Sequence, residues 1–213
     1  MPTIEQNTGP YVRCSMDGHN PLKPKSIGVK PNEKIWLNLG CGFKQRAAFV
    51  NVDKYENCDP DVVHDLNVFP YPWDDESVDG IIMWHTLEHL DDWWAVFLEC
   101  VRILRPGAIL HIRVPDASTD AAITYRDHYH IFDMHSFHGI RGRSGSGTNA
   151  GAELLSETVP IEMVDYVRVP YTSYNWMKHW PFRFILRFCA RHLRNFFFEQ
   201  IFTFVKIGDD SGQ

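Results

Sequence analysis

The stretch KIWLNLGCGFKQRAAFVNVDKYE, residues 34–56, decides the fold. Its first apolar run, IWLNL, enters a turn built on Gly40, Cys41 and Gly42, and its second, FVNVD, ends on Asp53. Short apolar runs closed by glycine or by a polar residue predict β-strands. If the two strands are parallel neighbours, the glycines and the carboxylate meet at one edge of a sheet, where open α/β sheets bind ligands.

The rest of the chain predicts further strands and helices. The predicted strands lie at 61–66, 77–85, 108–114, 161–171 and 200–207, and the predicted helices at 91–104 and 182–198. In the first helix the apolar residues recur on one face, as they do in a helix that packs on a sheet. Strands that alternate with helical pieces in this order predict a parallel sheet wound with helices.

Length, charge and cysteine content limit the class of protein. The chain has 213 residues, enough for one domain with a full core, and its net charge of −6 disfavours nucleic acid as a partner. Its five cysteines are odd in number and lack CxxC spacing, which predicts a reducing compartment. The sequence has no signal-peptide pattern and no apolar run near the roughly 20 residues of a spanning helix. We therefore predict a cytoplasmic protein.

The composition predicts one domain with two additions. Residues 1–33, rich in proline, glycine and asparagine, predict an N-terminal arm, and 34–213 predict the domain itself. Within that domain, 117–159 combines several histidines with the glycine- and serine-rich stretch GIRGRSGSGTNAG. We expect 117–159 to be an insertion that covers the substrate.

Three strand ends predict a site for an adenosine-containing ligand. Gly40 and Gly42 let backbone N–H groups approach a ligand closely, and Asp53 offers two acceptor oxygens to the paired hydroxyls of a ribose. Asp65, at the end of the third strand, suits the exocyclic amine of an adenine, with Leu66 covering a ring face.

Other nucleotide sites fit the sequence less well. A dinucleotide fingerprint needs a third glycine, where this chain has Gln45, and its acid follows the first glycine by roughly 20 residues. Here Asp53 follows Gly40 by 13 residues. The chain also lacks the GxxxxGK[ST] pattern of a triphosphate site.

Five segments, in order between residues 35 and 116, resemble the class I S-adenosylmethionine-dependent methyltransferases, and among these the small type 11 group. These segments are LNLGCG, VNVD, VVHDL, FPYPWDDESVDGIIMWHTLEHL and VRILRPGAILHIRVPD. The resemblance implies a doubly wound α/β fold with a mostly parallel, seven-stranded sheet and an antiparallel last strand. It also implies S-adenosylmethionine as the cofactor.

The same resemblance implies a role for each cofactor-site residue. Gly40, Cys41 and Gly42 would line the methionine part, Asp53 the ribose, and Asp65 with Leu66 the adenine. Met83 and Trp84 would lie along the cofactor at the end of the fourth strand. Asn38 stands where many members have an acid, so we expect a neutral or water-mediated contact there. The short stretch before the second strand predicts a short or missing first helix.

Histidines are the predicted bases for methyl transfer to a hydroxyl or an amine, because an imidazole titrates near neutral pH. His85 follows the fourth strand directly and is the first candidate. His89 and one of His128, His130 and His135 come next, and of these three we select His130. The alternative is that these histidines cap turns or pack as polar residues.

His85, Glu88 and His89 also have the i, i+3, i+4 spacing of one helical face, which would suit part of a metal site. Some RNA and quinone methyltransferases resemble this pattern with E-x-x-E-H and a distant histidine. The alternative, which we favour, is that Glu88 and His89 brace the loop beneath the substrate. We therefore assign no metal ligand from the sequence.

A basic helix near the C-terminus allows two interpretations. Arg183, Arg187, Arg191 and Arg194 follow helical spacing beside apolar residues, so this surface could bind a membrane or an anionic substrate. Alternatively, the apolar side packs on the sheet and the arginine stems cover its edges. We favour the second interpretation.

These observations predict a methyltransferase that acts on an oxygen or nitrogen atom. A small-molecule or glycan acceptor, the latter a sugar or a lipid-linked sugar, is favoured over nucleic acid because the net charge is negative. Two alternatives stay open: RNA methylation with a metal at the His85, Glu88 and His89 positions, and a non-catalytic protein that binds S-adenosylmethionine.

Overall fold

The computed structural model describes residues 34–137, 141–142, 159–171, 185, 188 and 192–208. The strands are β1 (Trp36–Leu39), β2 (Val50–Asp53), β3 (Val62–Val63), β4 (Val78–Trp84), β5 (Leu104–Pro115), β6 (Arg141–Gly142), β7 (Ile161–Pro170) and β8 (Phe197–Lys206). The helices are α1 (Trp93–Ile103) and α2 (Asp120–Thr124), and 3₁₀ turns lie at Glu56–Cys58 and Leu87–His89. The predicted N-terminal arm at 1–33 lies outside the described residues.

The strands form one sheet in the order β3-β2-β1-β4-β5-β8-β7-β6. The strands from β3 to β5 pair in parallel, whereas β8 runs antiparallel to both β5 and β7. The predicted α/β class, mostly parallel with an antiparallel last strand, is confirmed. The two-residue strand β6 adds an eighth strand beside β7.

The order of the strands reverses between β1 and β4, since the chain runs outward to β3 and then returns to the middle. Leu37 and Leu39 on β1 and Ile81 on β4 are fully buried, as expected for central parallel strands. Turns, but no helix, connect β1 to β2, which confirms the short or missing first helix. This reversal is where ligands bind in doubly wound sheets.

The helix α1 buries its apolar face against the sheet. The Asp92 side chain accepts hydrogen bonds from the backbone N–H groups of Trp94 and Ala95 and so caps the helix. Phe97 is fully buried in the core. The predicted element at 91–104 extended slightly too far, because Leu104 already begins β5.

Part of the predicted insertion belongs to the core. Phe132 and Phe137 are 2% and 1% exposed, and they pack with Trp93, Phe202 and other rings of the main aromatic cluster. The described part of 117–159 is therefore anchored on the domain. Apart from Arg141 and Gly142, which form β6, its glycine- and serine-rich stretch falls outside the described residues, so the predicted cover stays a prediction.

Most of the predicted basic helix falls outside the described residues, including Arg183, Arg187 and Arg191. Arg194 is described, and its guanidinium lies 3.2 Å from the carboxylate of Asp120. The predicted bounds of 182–198 need a correction, since Phe197 and Phe198 already belong to β8 and pair along the sheet. Among the described residues, no helix has the length and apolar content needed to cross a membrane.

Candidate active site

A cavity of about 450 Å³ lies at the carboxyl ends of β1, β2, β3 and β4. It lies at the point where the strand order reverses, as the rule for open sheets predicts. Seven predicted site residues line it: Gly40, Gly42, Asp53, Asp65, Leu66, His85 and His89. The fold therefore brings residues predicted at the ends of four separate strands together at one cavity.

Thr86 shapes the glycine turn, which consists of Gly40, Cys41 and Gly42. Gly40 has a φ of +69°, and a Cβ atom at this position would come within 2.2 Å of the Thr86 methyl group. The Thr86 hydroxyl donates to the carbonyl of Leu39 at 3.2 Å and so holds this side chain against β1. Gly42 also has a positive φ, of +49°, but a Cβ atom there would meet no atom within 4 Å. Gly40 is thus required by packing, whereas Gly42 leaves the cavity open.

Asp53 holds the turn and still faces the cavity. One carboxylate oxygen accepts from the backbone N–H of Gly42 at 2.8 Å, and the other accepts from that of Tyr55 at 3.0 Å. Each oxygen can accept a second hydrogen bond, so the oriented carboxylate can also receive the two hydroxyls of a ribose.

Asp65 and Leu66 are placed by the loop that follows β3. Asp65 accepts from the backbone N–H of Asn67 at 3.0 Å, and Leu66 is 4% exposed. The carbonyl of Leu66 accepts from the hydroxyl of Tyr71 at 2.9 Å. These bonds fix a carboxylate and an apolar side chain side by side on the cavity wall.

Asn38 does not line the cavity. Its amide donates to the carbonyl of Lys44 at 3.1 Å and to the side-chain oxygen of Asn51 at 2.9 Å. These bonds brace the turn between β1 and β2, so Asn38 supports the site from beneath.

Cys41, Met83 and Trp84 also lie outside the cavity lining. Cys41 is 4% exposed, and burial together with the charge of Asp53 raises the pKa of its thiol to about 12. Met83 is 1% exposed in the core. The guanidinium carbons of Arg46 and Arg113 lie 3.8 and 4.7 Å from the centre of the Trp84 ring. The predicted cofactor contacts of these residues stay predictions.

His85 and Arg113, which are partly buried, form a cluster with the buried carboxylates of Glu88 and Glu199, which we call the His85 cluster. The Nδ1 atom of His85 is 3.4 Å from a carboxylate oxygen of Glu88, and its Nε2 is 3.1 Å from one of Glu199. Burial lowers the pKa of His85, but the hydrogen-bonded carboxylate of Glu199 and the nearby carboxylate of Glu88 outweigh it, so the pKa is raised above its ordinary value. Arg113 forms a two-pronged ion pair with Glu199.

The backbone places His85 at a sharp change of direction. His85 adopts a φ of 51°, in the left-handed region that non-glycine residues rarely occupy. Its N–H donates to the carbonyl of Arg113 at 2.8 Å, which continues the pairing of β4 with β5. The chain then turns into Leu87–His89, so that His85 and His89 both reach the cavity.

The other two predicted bases differ in position. The Nδ1 atom of His89 lies 2.8 Å from the carbonyl of Asp127, and His89 lines the cavity. His130 is not among the cavity-lining residues, and its Nε2 lies 3.2 Å from the carbonyl of Asp91. The predicted catalytic roles of His85, His89 and His130 remain untested.

Sequence reasoning missed several residues of the site. Asp127 and Tyr129 line the cavity from the inserted segment, and Glu199 reaches His85 from β8, 114 positions away in the chain. The sequence gives no signal for these contacts, because they depend on how distant segments pack. Thr86 had a signal, since it follows His85 directly in the segment WHTLEH.

Comparison with known proteins finds a similarity over the first part of the sheet. Residues 37–112 match the type 11 methyltransferase domain family. No curated protein sequence matches the chain. The matched residues run from β1 into β5 and include the glycine turn, Asp53, Asp65 and the Leu87–His89 turn.

Solved structures show the same fold. The YcgJ protein of Bacillus subtilis has a TM-score of 0.51 at 12% identity, with 83% of this chain and 93% of that chain covered. An S-adenosylmethionine-dependent methyltransferase of Mesorhizobium loti has a TM-score of 0.50 at 13% identity, with 83% of this chain and 94% of that chain covered. Another from Archaeoglobus fulgidus has a TM-score of 0.50 at 15% identity, with 82% of this chain and 86% of that chain covered. Residues 37–112 are therefore similar to a type 11 methyltransferase domain, and the chain has the fold of S-adenosylmethionine-dependent methyltransferases.

Proposed function

We propose that the protein transfers a methyl group from S-adenosylmethionine to an oxygen or nitrogen atom of a small molecule, a sugar or a lipid-linked sugar. The observation that carries the proposal is the convergence of strand ends on one cavity. Gly40 and Gly42 follow β1, Asp53 ends β2 and Asp65 follows β3, and all four residues line the cavity.

The cavity wall suits the parts of the methyl donor. Gly42 leaves open space beside the turn, Asp53 offers acceptors for the ribose hydroxyls, and Asp65 lies beside Leu66 to receive the adenine. A sulfonium supplies an already activated methyl group, so the protein mainly has to orient the acceptor and exclude water. Orientation of this kind can supply roughly 7–11 kcal/mol of the barrier.

The charge of the cavity supports a small acceptor rather than nucleic acid. Among the described residues, three carboxylates line it, from Asp53, Asp65 and Asp127, against a single lysine, Lys54. A nucleic-acid site is instead lined by Lys and Arg that contact phosphates. The exposed ring of Tyr129 lines the same cavity as His89 and offers an apolar face to an acceptor.

Calorimetry with S-adenosylmethionine and with its demethylated product tests the donor site. Asp53→Ala should weaken binding by roughly 10–100-fold, since two hydrogen bonds to a charged group are lost. Asp74→Ala removes an exposed carboxylate outside the cavity lining, and this control should bind like the wild type. Equal binding by the wild type and Asp53→Ala would remove the basis of the proposal.

Turnover separates the enzyme from the alternatives. The demethylated product is measured after incubation with pooled metabolites, with lipid-linked sugars and with RNA. Product formed with a metabolite or glycan pool is the expected result. Product formed with RNA alone would favour the RNA alternative, and tight donor binding without turnover of any pool would favour a non-catalytic protein.

A further inference from the structure

A buried carboxylate without a hydrogen-bond partner lies beside the cavity. The Glu88 side chain is 1% exposed, and neither of its oxygens has a hydrogen bond within the described part of the chain. His85 approaches one oxygen at 3.4 Å, but the other ring nitrogen of His85 serves Glu199, which also binds Arg113. A buried carboxylate with so little compensation is destabilising, and a cation bound to it would compensate its charge.

Two imidazoles stand next to this carboxylate. His89 and His128 have ring centres 4.8 Å apart, in an edge-to-face arrangement. The Nδ1 atom of His89 faces the carbonyl of Asp127, which can only accept, so this nitrogen carries the proton in the neutral ring and Nε2 keeps a lone pair. The Nδ1 atom of His128 is buried and has no hydrogen bond among the described residues.

The three side chains together have the geometry of a cation site. One ligand atom each from Glu88, His89 and His128 lie within 4.8 Å of one another. Ligands about 2.0–2.2 Å from a shared metal are separated by roughly 3–4 Å, so a small side-chain adjustment brings them into range.

The backbone already joins the two segments that carry these ligands. The carbonyl of Glu88 accepts hydrogen bonds from the N–H groups of Tyr129 and His130, at 2.8 and 3.3 Å. His128 is therefore held against the Leu87–His89 turn before any ion binds. The Asp127 carbonyl, in turn, orients the ring of His89 in the way that outer-shell partners orient metal-bound histidines.

We propose that Glu88, His89 and His128 bind one divalent transition-metal ion at the wall of the cavity. Two imidazoles and one carboxylate are ligands that suit ions such as Zn²⁺ or Co²⁺, whereas Mg²⁺ and Ca²⁺ prefer oxygen ligands throughout. The sequence suggested His85 as the third ligand and favoured no metal. The structure instead turns His85 toward Glu199 and supplies His128.

This site goes beyond the proposed function and does not depend on it. Three protein ligands leave coordination positions open, and His89 faces the cavity, so an oxygen or nitrogen atom of a bound molecule can complete the shell. A metal-bound His89 cannot also act as a base, so the two roles exclude each other for this residue.

Metal titration of tag-free, chelator-treated full chain tests the site. Calorimetry with Zn²⁺, and visible absorption with Co²⁺, should show one ion per chain in the wild type. Glu88→Gln and His128→Asn should each weaken Zn²⁺ binding by at least about 10-fold. His130→Asn lies on the same loop, two positions beyond His128, and should bind Zn²⁺ like the wild type.

Two results would overturn the site: no Zn²⁺ binding by the wild type, or wild-type binding by both ligand variants. Thermal unfolding and affinity for the demethylated cofactor product, measured without metal, report whether each variant is folded. If Glu88→Gln does not fold, Zn²⁺ binding by His128→Asn tests the site instead. The His128 ring is half-buried and its Nδ1 atom has no hydrogen bond among the described residues, so removing the ring breaks no hydrogen bond at Nδ1. Failure of cofactor binding in the wild type would count against the proposed function and leave the metal titration to be judged separately.

Discussion

The glycine turn and the His85 cluster lie on the same cavity, yet they are built in opposite ways. The glycine turn is bound to Asp53 by a contact between residues 11 positions apart, along one continuous stretch of chain. In the His85 cluster, His85 meets Glu199 across 114 positions, and Arg113 meets it across 86. The link between the glycine turn and Asp53 is therefore encoded locally, whereas the His85 cluster exists only when β5 and β8 have paired.

The largest effect is expected from a substitution that disrupts the His85 cluster. Glu199 is 1% exposed and contacts both Arg113 and His85, so Glu199→Gln leaves Arg113 without its counter-charge and removes a carboxylate from His85. We expect a loss of about 3–5 kcal/mol in the free energy of unfolding, as for other broken buried ion pairs. Urea unfolding followed by tryptophan fluorescence measures it.

The matched control is the same change at an exposed ion pair. Asp75 is 76% exposed where it meets Arg102, so Asp75→Asn should cost no more than about 1 kcal/mol. If Asp75→Asn and Glu199→Gln lowered the free energy of unfolding equally, the distinction between the two kinds of contact would fail.

The next largest effect is expected in the glycine turn. Gly40→Ala and Gly42→Ala both place an alanine at a positive φ, but only the first meets Thr86. Gly40→Ala should therefore be less stable than Gly42→Ala by about 1–3 kcal/mol, which is the usual cost of overpacking. Thermal unfolding of the two variants gives the difference. Adding Thr86→Ala should recover part of the loss in Gly40→Ala, and no recovery would contradict the assigned clash.

A smaller effect is expected at low pH, which should weaken the contribution of the long-range ion pair between Asp116 and Arg168 to stability. Burial raises the pKa of Asp116, but hydrogen bonds from Arg168 and Ser118 outweigh it, so the pKa lies below its ordinary value. A lowered carboxyl pKa stabilises the fold above the unfolded pKa, and that contribution is lost as the pH falls through the folded one. The free energy of unfolding of the wild type should therefore exceed that of Arg168→Gln by about 1–2 kcal/mol near neutral pH. This difference should narrow below about pH 4.

The measurement is urea unfolding of both proteins across that pH range. Arg194→Gln is the control, because its ion pair with Asp120 is exposed on both sides, at 64% and 61%. A gap between the wild type and Arg168→Gln that stayed constant down to low pH would show that Asp116 does not titrate as described.

The parallel half of the fold could be predicted from the sequence because its signals are local. The apolar runs at β1, β2 and β4 and the capped helix α1 each carry their own pattern, and the structure confirms them. The C-terminal half was predicted less well. β8 begins at Phe197, inside the predicted helix, because pairing with β5 and β7 outweighs the local helical spacing.

The candidate site divides in the same way. Seven predicted residues line the cavity, since they follow strand ends and parallel strands end at one edge. Asn38 and Met83 were also predicted at the site, but they lie outside the cavity lining, against Asn51 and in the core. Which side of a strand a residue faces could be read only once the strands had paired.

The sequence by itself determined where the first strands lie along the chain, where the glycine turn lies, and which carboxylates stand at the ends of β2 and β3. These depend on backbone conformation and on residues a few positions apart. The tertiary structure decided that Glu199 meets His85, and that His128 rather than His85 joins Glu88 and His89. Contacts across so many positions have no local energetic signature, because they become favourable only after the chain entropy of folding has been overcome.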